Sequence, residues 1–419
     1  MKSKILKLIL SLAVISVLLA ACGAPTTQAP ATKPPATQAP VTEEPTVAPE
    51  PPIKIGASLP LTGDFSEPGT AAKMGYELWV EQVNNAGGLL GRQVEFVLYD
   101  NASDPDTAVA DYERLITADK VDLVVGPFSS RLVIPTSEVA AKYGYAFPEP
   151  AGGAPGVFDR GLTNIFFCQP APGADQAIPF AAYILSLPED VRPKTFAVLS
   201  ADDPFNLGVV EAAEKLLIEG GLTSVLKEVY PPDTKDFSSI AAKVADLDPD
   251  LILGGTIFED SVAQIQAYIE AGYQPRGAFF TTGPSLPKEF NEALGSATEG
   301  VFSAISWYEA STTETNPEFV AAYHAKYGAD PIAEDSANAY TVGQVLQQAI
   351  ENTQSIDNAK LIAEMHSATF TTVVGPLKFD EVGRPQGSFM ILQWQGGTYV
   401  IVYPDFAKQA DPIWPKPAW

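Results

Sequence analysis

From Ile53 onward, short apolar runs alternate with stretches whose apolar positions recur at helical spacing. Ile53–Leu59 reads as a strand, followed by a Pro/Gly/Asp loop and a helix from about Gly69 to Ala86. Gly87, Gly88 and Gly91 stop that helix, because glycine takes the left-handed conformations in which helices end. Val94–Leu98 is a second strand, Pro105-Asp106-Thr107 opens a helix running to Ala118, and Asp122–Gly126 is a third strand. A helix begins near Ser130, and Tyr145–Pro148 is a fourth strand. The alternation restarts after Pro170. Helices are expected over Ala174–Leu187, Asn206–Glu219, Ser238–Asp246 and Asp260–Ala271, between strands Thr195–Leu199, Ser224–Tyr230, Asp250–Gly254 and Gly277–Thr281. Two such sets in succession predict an α/β fold of two doubly wound, parallel-sheet lobes. Helices near Pro317–Tyr327, Ser336–Asn352 and Asn358–Ser367 follow. Phe389–Trp394 and Thr398–Val402 then flank Gln395-Gly396-Gly397, a hairpin with glycine at its turn. The Pro-rich tail after Pro404 is expected to be irregular.

The first residues follow a different rule. Lys2, Lys4 and Lys7 precede an apolar run, Leu8–Ala20, too short to be a comfortable membrane span and of the kind found in signal peptides. It ends in Leu19-Ala20-Ala21-Cys22, which resembles the processing site of bacterial lipoproteins. Removal of residues 1–21 would leave Cys22 to carry acyl chains and hold the protein to a membrane surface. Residues 23–52, dense in Pro, Thr and Ala, offer little to bury and read as an extended tether. No later apolar stretch is long enough to span a bilayer.

Charge narrows the partners. The net charge of −25 includes three lysines of the signal segment and no acid before Cys22, so the processed chain stands at −28 (−25 − 3). Such acidity opposes nucleic acid, whose phosphates it repels. The two cysteines are Cys22 and Cys168; with Cys22 acylated, Cys168 has no partner and reads as a small buried hydrophobe in Asn164-Ile165-Phe166-Phe167-Cys168.

Catalytic chemistry is not legible. His324 and His366 each lie in a helical stretch with no cysteine or carboxylate at ligand spacing, which argues against zinc sites and Ser-His-Asp triads. Nucleophile elbows, dinucleotide fingerprints and P-loops are absent from the sequence. Asp202-Asp203 and Glu259-Asp260 are adjacent acids of the kind expected by chance in so acidic a chain. No metal or cofactor is expected. Binding architecture is legible: Gly126-Pro127-Phe128-Ser129-Ser130 joins the third strand to a helix. In open α/β sheets, ligands sit beyond strand C-termini, where helix N–H groups await a partner. Ser129 or Ser130 either caps that helix or leaves its N–H groups to a ligand carboxylate.

These residues resemble a family. Ile53-Lys54-Ile55-Gly56 with Pro60-Leu61-Thr62-Gly63, then Asn84-Asn85-Ala86-Gly87-Gly88-Leu89-Leu90-Gly91 and Tyr99–Pro105, is similar to the opening of Leu/Ile/Val-type periplasmic binding proteins. Gly126–Pro135, Asp236-Phe237-Ser238 and Val374–Asp380 extend the likeness, which spans nearly all of Ile53–Tyr403. It implies a type I binding-protein fold, a monomer whose two lobes close over a small solute and deliver it to the permease subunits of an ABC importer. Lobe one would comprise 53–170 with 300–378, lobe two 171–299 with 379–404, and 405–419 a tail. The family's carboxylate-binding serine matches Ser130, and the loop after the fourth strand matches Gly152 and Gly153. Gly153 departs from the family pattern by lacking a hydroxyl. The ammonium-binding acid matches Glu259, and the aromatic lid matches Phe205. Phe65, Phe128, Phe258 and Trp307 are further wall candidates. The ligand is then an amino acid or close relative, with an apolar or aromatic side chain favoured by the Phe-rich loops. Family members that bind amides, urea or aromatic carboxylates set the alternative. A sensing role is expected to need a separate partner, since no spanning or output segment follows the hairpin.

Overall fold

The computed structural model describes residues 50–419; the expected signal segment, Cys22 and most of the tether lie outside the described residues. The first sheet is built from β1 (Ile53–Leu59), β2 (Val94–Asp100) and β3 (Leu123–Val124), with α1 (Ser66–Asn85) and α2 (Pro105–Thr117) between them. β1 is central and parallel to both neighbours, in register from Ile53–Val94 to Leu59–Asp100. After α3 (Ser130–Lys142), β4 (Phe147–Glu149), α4 (Pro155–Phe158) and β5 (Ile165–Phe167) add a second parallel pair. The Gly126 N–H joins the two pieces by donating to the Pro148 carbonyl at 2.9 Å.

The second sheet takes β6 (Thr195–Ala201), β7 (Thr223–Tyr230), β8 (Leu251–Gly255) and β9 (Gly277–Phe280), with helices α5 (Ile178–Ser186), α6 (Pro204–Glu219), α7 (Ser238–Leu247), α8 (Phe258–Glu270) and α9 (Pro287–Leu294). β10 (Val301–Ile305) joins it beside β9. Helices α10 (Asn316–Tyr327), α11 (Glu334–Thr353) and α12 (Asn358–Ser367) and the short ribbon β11 (Phe370–Thr372) and β12 (Gly375–Leu377) follow. The hairpin β13 (Met390–Gln395) and β14 (Thr398–Tyr403) completes a seven-stranded sheet, ordered β14-β13-β10-β9-β8-β6-β7. The chain therefore passes between sheets three times: after β5, after β10 and after β12.

Two expectations shift. The boundary at residue 300 falls later, because Val301–Ile305 pairs parallel with β9 and antiparallel with β13 inside the second sheet. The tail contains no helix or strand but is docked. Ile413 exchanges hydrogen bonds with the Gln393 side chain at 2.7 and 2.9 Å, and Lys416 N–H donates to the Arg276 carbonyl at 2.7 Å.

Helix starts explain where the loops point. Asp203 precedes Pro204 at the first turn of α6 and accepts the N–H groups of Phe205 and Asn206 at 3.0 and 3.1 Å. That cap fixes Phe205 at the mouth of the second sheet. Helix α11 lies against α1 through two glycines. A Cβ on Gly75 would stand 2.0 Å from the Ser336 carbonyl oxygen, and one on Gly343 would stand 2.3 Å from the Trp79 ring. Apolar residues from both lobes share one core, which runs from Ala154, Val157 and Phe158 of the α4 region to Val209 and Val210 on α6.

Gly75→Ala is therefore expected to destabilise the fold by about 2–3 kcal/mol through overpacking. Chemical denaturation of the two proteins measures the difference; equal stabilities would refute the close approach of α1 and α11.

Candidate functional site

The loops beyond β3, β4, β6, β8 and β9 converge where the two lobes face each other. Phe128, Ser129 and Ala151 from lobe one meet Phe205, Thr281, Thr282 and Ser285 from lobe two, around a void of about 40 Å³. Gln169 and Gln176, on the first passage between lobes, and Glu334, Asp335 and Asn338, at the start of α11, complete the wall. An adjoining void, lined by Phe65, Phe128, Ile257, Phe258, Glu259 and Thr282, continues the cleft. Edge-to-face contact sets the Phe65 and Phe128 rings 5.6 Å apart, and Ile257 of lobe two packs against this pair. As packed, the first void holds roughly three waters. A larger solute enters only if the lobes part.

The two serines have different duties. Ser129 precedes α3 but does not cap it, and its buried hydroxyl has no partner among the described residues. Ser130 lies behind it, where its Oγ accepts the Ala154 N–H at 3.0 Å and ties the loop after β4 to α3. The serine facing the void is thus Ser129, one position before the match the resemblance indicates.

The loop after β4 is occupied from within. Glu149, fully buried at the end of β4, folds its carboxyl back so that Oε2 accepts the Ala151 N–H at 2.7 Å and the Gly152 N–H. Its other oxygen has no partner. Burial with no cation nearby pushes this carboxyl up to about 8, against the pull of those two N–H groups. Gly152 therefore spends its donor on the protein rather than on a ligand, contrary to the role expected for it. Gly153 serves close packing: a Cβ there would stand 2.7 Å from the Gly173 Cα.

Lobe two contributes the acids. Glu259 lies in the first turn of α8, half-buried; its Oε2 is buried without a partner, and desolvation raises its carboxyl above the ordinary value. Neighbouring Asp260 accepts the Tyr230 hydroxyl at 3.1 Å, and burial pushes it up to about 7. At the start of α11, Glu334 Oε2 accepts both the N–H and the hydroxyl of Ser306 at 2.7 Å. Burial raises both Glu334 and Asp335, and the Glu334 charge raises Asp335 further. Arg131, with its guanidinium 5.7 Å from the Phe65 ring centre, lines neither void but a neighbouring hollow shared with Phe65, Asp203, Ile257 and Asp260.

Of the expected wall, Phe65, Phe128, Phe205, Ser129 and Glu259 come together. Trp307 does not: it is buried with Leu78 and Phe319, and its indole N–H donates to Asn316 at 2.6 Å. Sequence reasoning missed Glu149, Gln169, Gln176, Thr281, Thr282, Ser285, Glu334, Asp335 and Asn338. A signal existed for the last group, because α11 carries Ser336, Asn338, Thr341 and Gln344 among its buried residues. A helix buried on so many sides has no need of polar side chains unless they meet something. Cys168 is buried and free, as expected.

This arrangement, two wound sheets bracketing a polar cleft, is that of a solute-binding protein. Residues 52–398 match the family of periplasmic binding proteins, and the chain belongs to that family, which binds solutes outside the cytoplasm rather than transforming them. It is 29% identical over 374 residues to a Leu/Ile/Val-binding protein homolog 7 of Brucella suis, covering 85% of this chain and 92% of that one. A leucine-binding protein from Thermotoga maritima superposes with a TM-score of 0.74 at 22% identity, covering 83% of this chain and 97% of that one. A benzoate-bound solute-binding protein from R. palustris superposes at 0.73 and 22% identity, covering 86% and 99%. These likenesses confirm the type I two-lobed fold.

Because Glu149 titrates near 8 in the fold against an ordinary 4.5, folding favours its protonated form. Its contribution is complete below about 4.5 and is lost as pH rises through about 8. Glu149→Gln should therefore flatten the fall of melting temperature between pH 5 and pH 8. An unchanged slope would show that Glu149 is ionised in the folded protein.

Proposed function

We propose that this chain captures an amino acid or close relative for an ABC importer, as a monomer outside the cytoplasm, held to the membrane by acyl chains on Cys22. Lobe one supplies the Ser129 hydroxyl and the N-terminus of α3 for a ligand carboxylate, and lobe two brings Glu259 and Phe205 over its amine and side chain. The single observation that carries this reading is the unpartnered, buried oxygen of Glu259 at the same cleft as the unpartnered hydroxyl of Ser129. A buried carboxylate is costly without a cation, and a ligand ammonium supplies one. The names of the curated relatives support the ligand class. Closing around the ligand would present the liganded shape to the permease, so that ligand shifts a two-state population.

An aromatic carboxylate is the second reading, favoured by the Phe65, Phe128 and Phe205 wall and the benzoate bound by the R. palustris protein. Glu259, Glu334 and Asp335 oppose it, because each would repel the ligand charge and none forms an ion pair among the described residues; Lys235 lowers the Glu259 carboxyl only against a larger rise from burial.

Calorimetry against amino acids, amides and aromatic acids tests the pair of readings. Glu259→Gln should weaken an amine-bearing ligand by about 10–100-fold, the worth of a charge-assisted hydrogen bond. Binding confined to aromatic acids and indifferent to that change would overturn the amino-acid reading. For the anchor, Cys22→Ser in the full chain should move the protein from the membrane fraction to the soluble one and abolish acyl labelling. A wild-type protein already soluble and unlabelled would refute it.

A further inference from the structure

The second acid pair of the cleft has no role in binding an α-amino acid through Ser129 and Glu259. Glu334 and Asp335 open α11, where a helix N-terminus favours negative charge. That explains acids in the first turn but not what surrounds them. They wall the same void as three buried polar groups that find no partner: the Ser129 hydroxyl, the Gln176 carbonyl oxygen and the Asn338 amide nitrogen. Those side chains are 6%, 7% and 1% exposed, and buried polar atoms without partners are rare unless a ligand meets them. Glu334 engages Ser306, whereas Asp335 accepts no hydrogen bond from another residue among the described ones. Neither acid forms an ion pair there, and no lysine, arginine or histidine lines the void. The Glu259 void adjoins this one through Phe128 and Thr282, so one solute can reach both acid groups.

We infer that Glu334 and Asp335 form a second cation-receiving subsite, and that the ligand carries two cationic groups, as a basic amino acid or a diamine does. The inference rests on the proposed capture of an amine-bearing solute at Glu259, and it replaces the hydrocarbon side chain expected from the Phe-rich loops. One ammonium meets Glu259; the other lies against Asp335 and Glu334, with the Gln176 carbonyl oxygen as a further acceptor, while the Asn338 amide nitrogen and the Ser129 hydroxyl remain as donors for the ligand carboxylate. The phenylalanines pack the methylene chain between them. The buried Glu334 and the partly buried Asp335, which have no counter-ion, gain one when the second cation arrives.

The test is calorimetry on the wild-type protein with L-ornithine, L-norvaline, L-arginine and putrescine. Ornithine and norvaline share a backbone and a three-carbon side chain and differ by the terminal ammonium. Ornithine or arginine should bind at least about tenfold more tightly than norvaline, the low end for a hydrogen-bonded charge. Asp335→Asn should reduce that preference to within about threefold. Glu334→Gln, compared at matched melting temperature because it also holds Ser306, should do the same. Putrescine binding as tightly as ornithine supports the subsite and assigns the ligand to diamines; ornithine binding more tightly assigns it to basic amino acids. If norvaline binds as well as ornithine, the subsite is overturned while capture of an amine at Glu259 stands. If only ligands without an amine bind, both fall.

Discussion

Burying a carboxyl group without an ion-pair partner is expensive, and this protein does so repeatedly around one cleft. How each acid is compensated sorts the set by position. Glu149, beneath the cleft, takes two backbone N–H groups of its own loop. Asp260 takes the Tyr230 hydroxyl, and Glu334 takes both donors of Ser306. Glu259 and Asp335, on the cleft wall, accept nothing from another residue. Compensation by the protein thus falls away toward the void, which leaves the wall acids to whatever enters. An acidic chain supplies carboxylates in abundance, but abundance predicts solvated faces, not a buried row of them.

The same row depends on lobes that meet. Glu259 belongs to lobe two, and Ser129 to lobe one, while α11 reaches the cleft after the chain has crossed back between sheets. Its placement follows from Gly75 and Gly343, which let α1 and α11 approach until side-chain volume on either would collide with the other. On the opposite flank Gly208 of α6 sits where a Cβ would stand 2.8 Å from Pro155 of α4. Backbones this close fix a relative position, and the small void between them admits a solute only through separation of the lobes. Three chain passages between the sheets would let such a separation occur while each sheet stays intact, at the cost of exposing the apolar contact between the α4 region and α6.

The sequence carried the wound sheets clearly, because most of the longer strands are rich in apolar and β-branched residues and bounded by turn residues. It hid β10, where Ser303 interrupts Val301–Ile305 and no strong turn pair marks its ends, and β5, which is three residues long. At the site, Phe205 and Glu259 were indicated only by the family resemblance, and the structure brings both to the cleft. Ser129 against Ser130 was not, since one residue of rotation decides which hydroxyl faces the void and which holds Ala154. Trp307 resembled a wall and proved to be core, because an aromatic beside a strand end satisfies either role. Glu334 and Asp335 drew no reading from the sequence, whose helix was expected from Ser336; the structure sets Ser129, Gln176 and Asn338 beside them from distant parts of the chain.

The glycines at 152 and 153 then have a common explanation. A Cβ on Gly152 would stand 2.6 Å from the Val133 side chain and 2.7 Å from the Glu149 carboxyl, and one on Gly173 would stand 2.5 Å from Gly153. Loss of the hydroxyl at 153 is therefore not an isolated change. It goes with a loop pressed against Gly173 and with a carboxyl that occupies, from inside, the loop to which the family resemblance assigns a ligand carboxylate. What remains for such a group is the Ser129 hydroxyl and the uncapped start of α3, a weaker hold than a full set of donors. On the proposed reading, the acids on the other walls make up the difference in the opposite sign, and recognition leans on the cationic parts of the solute.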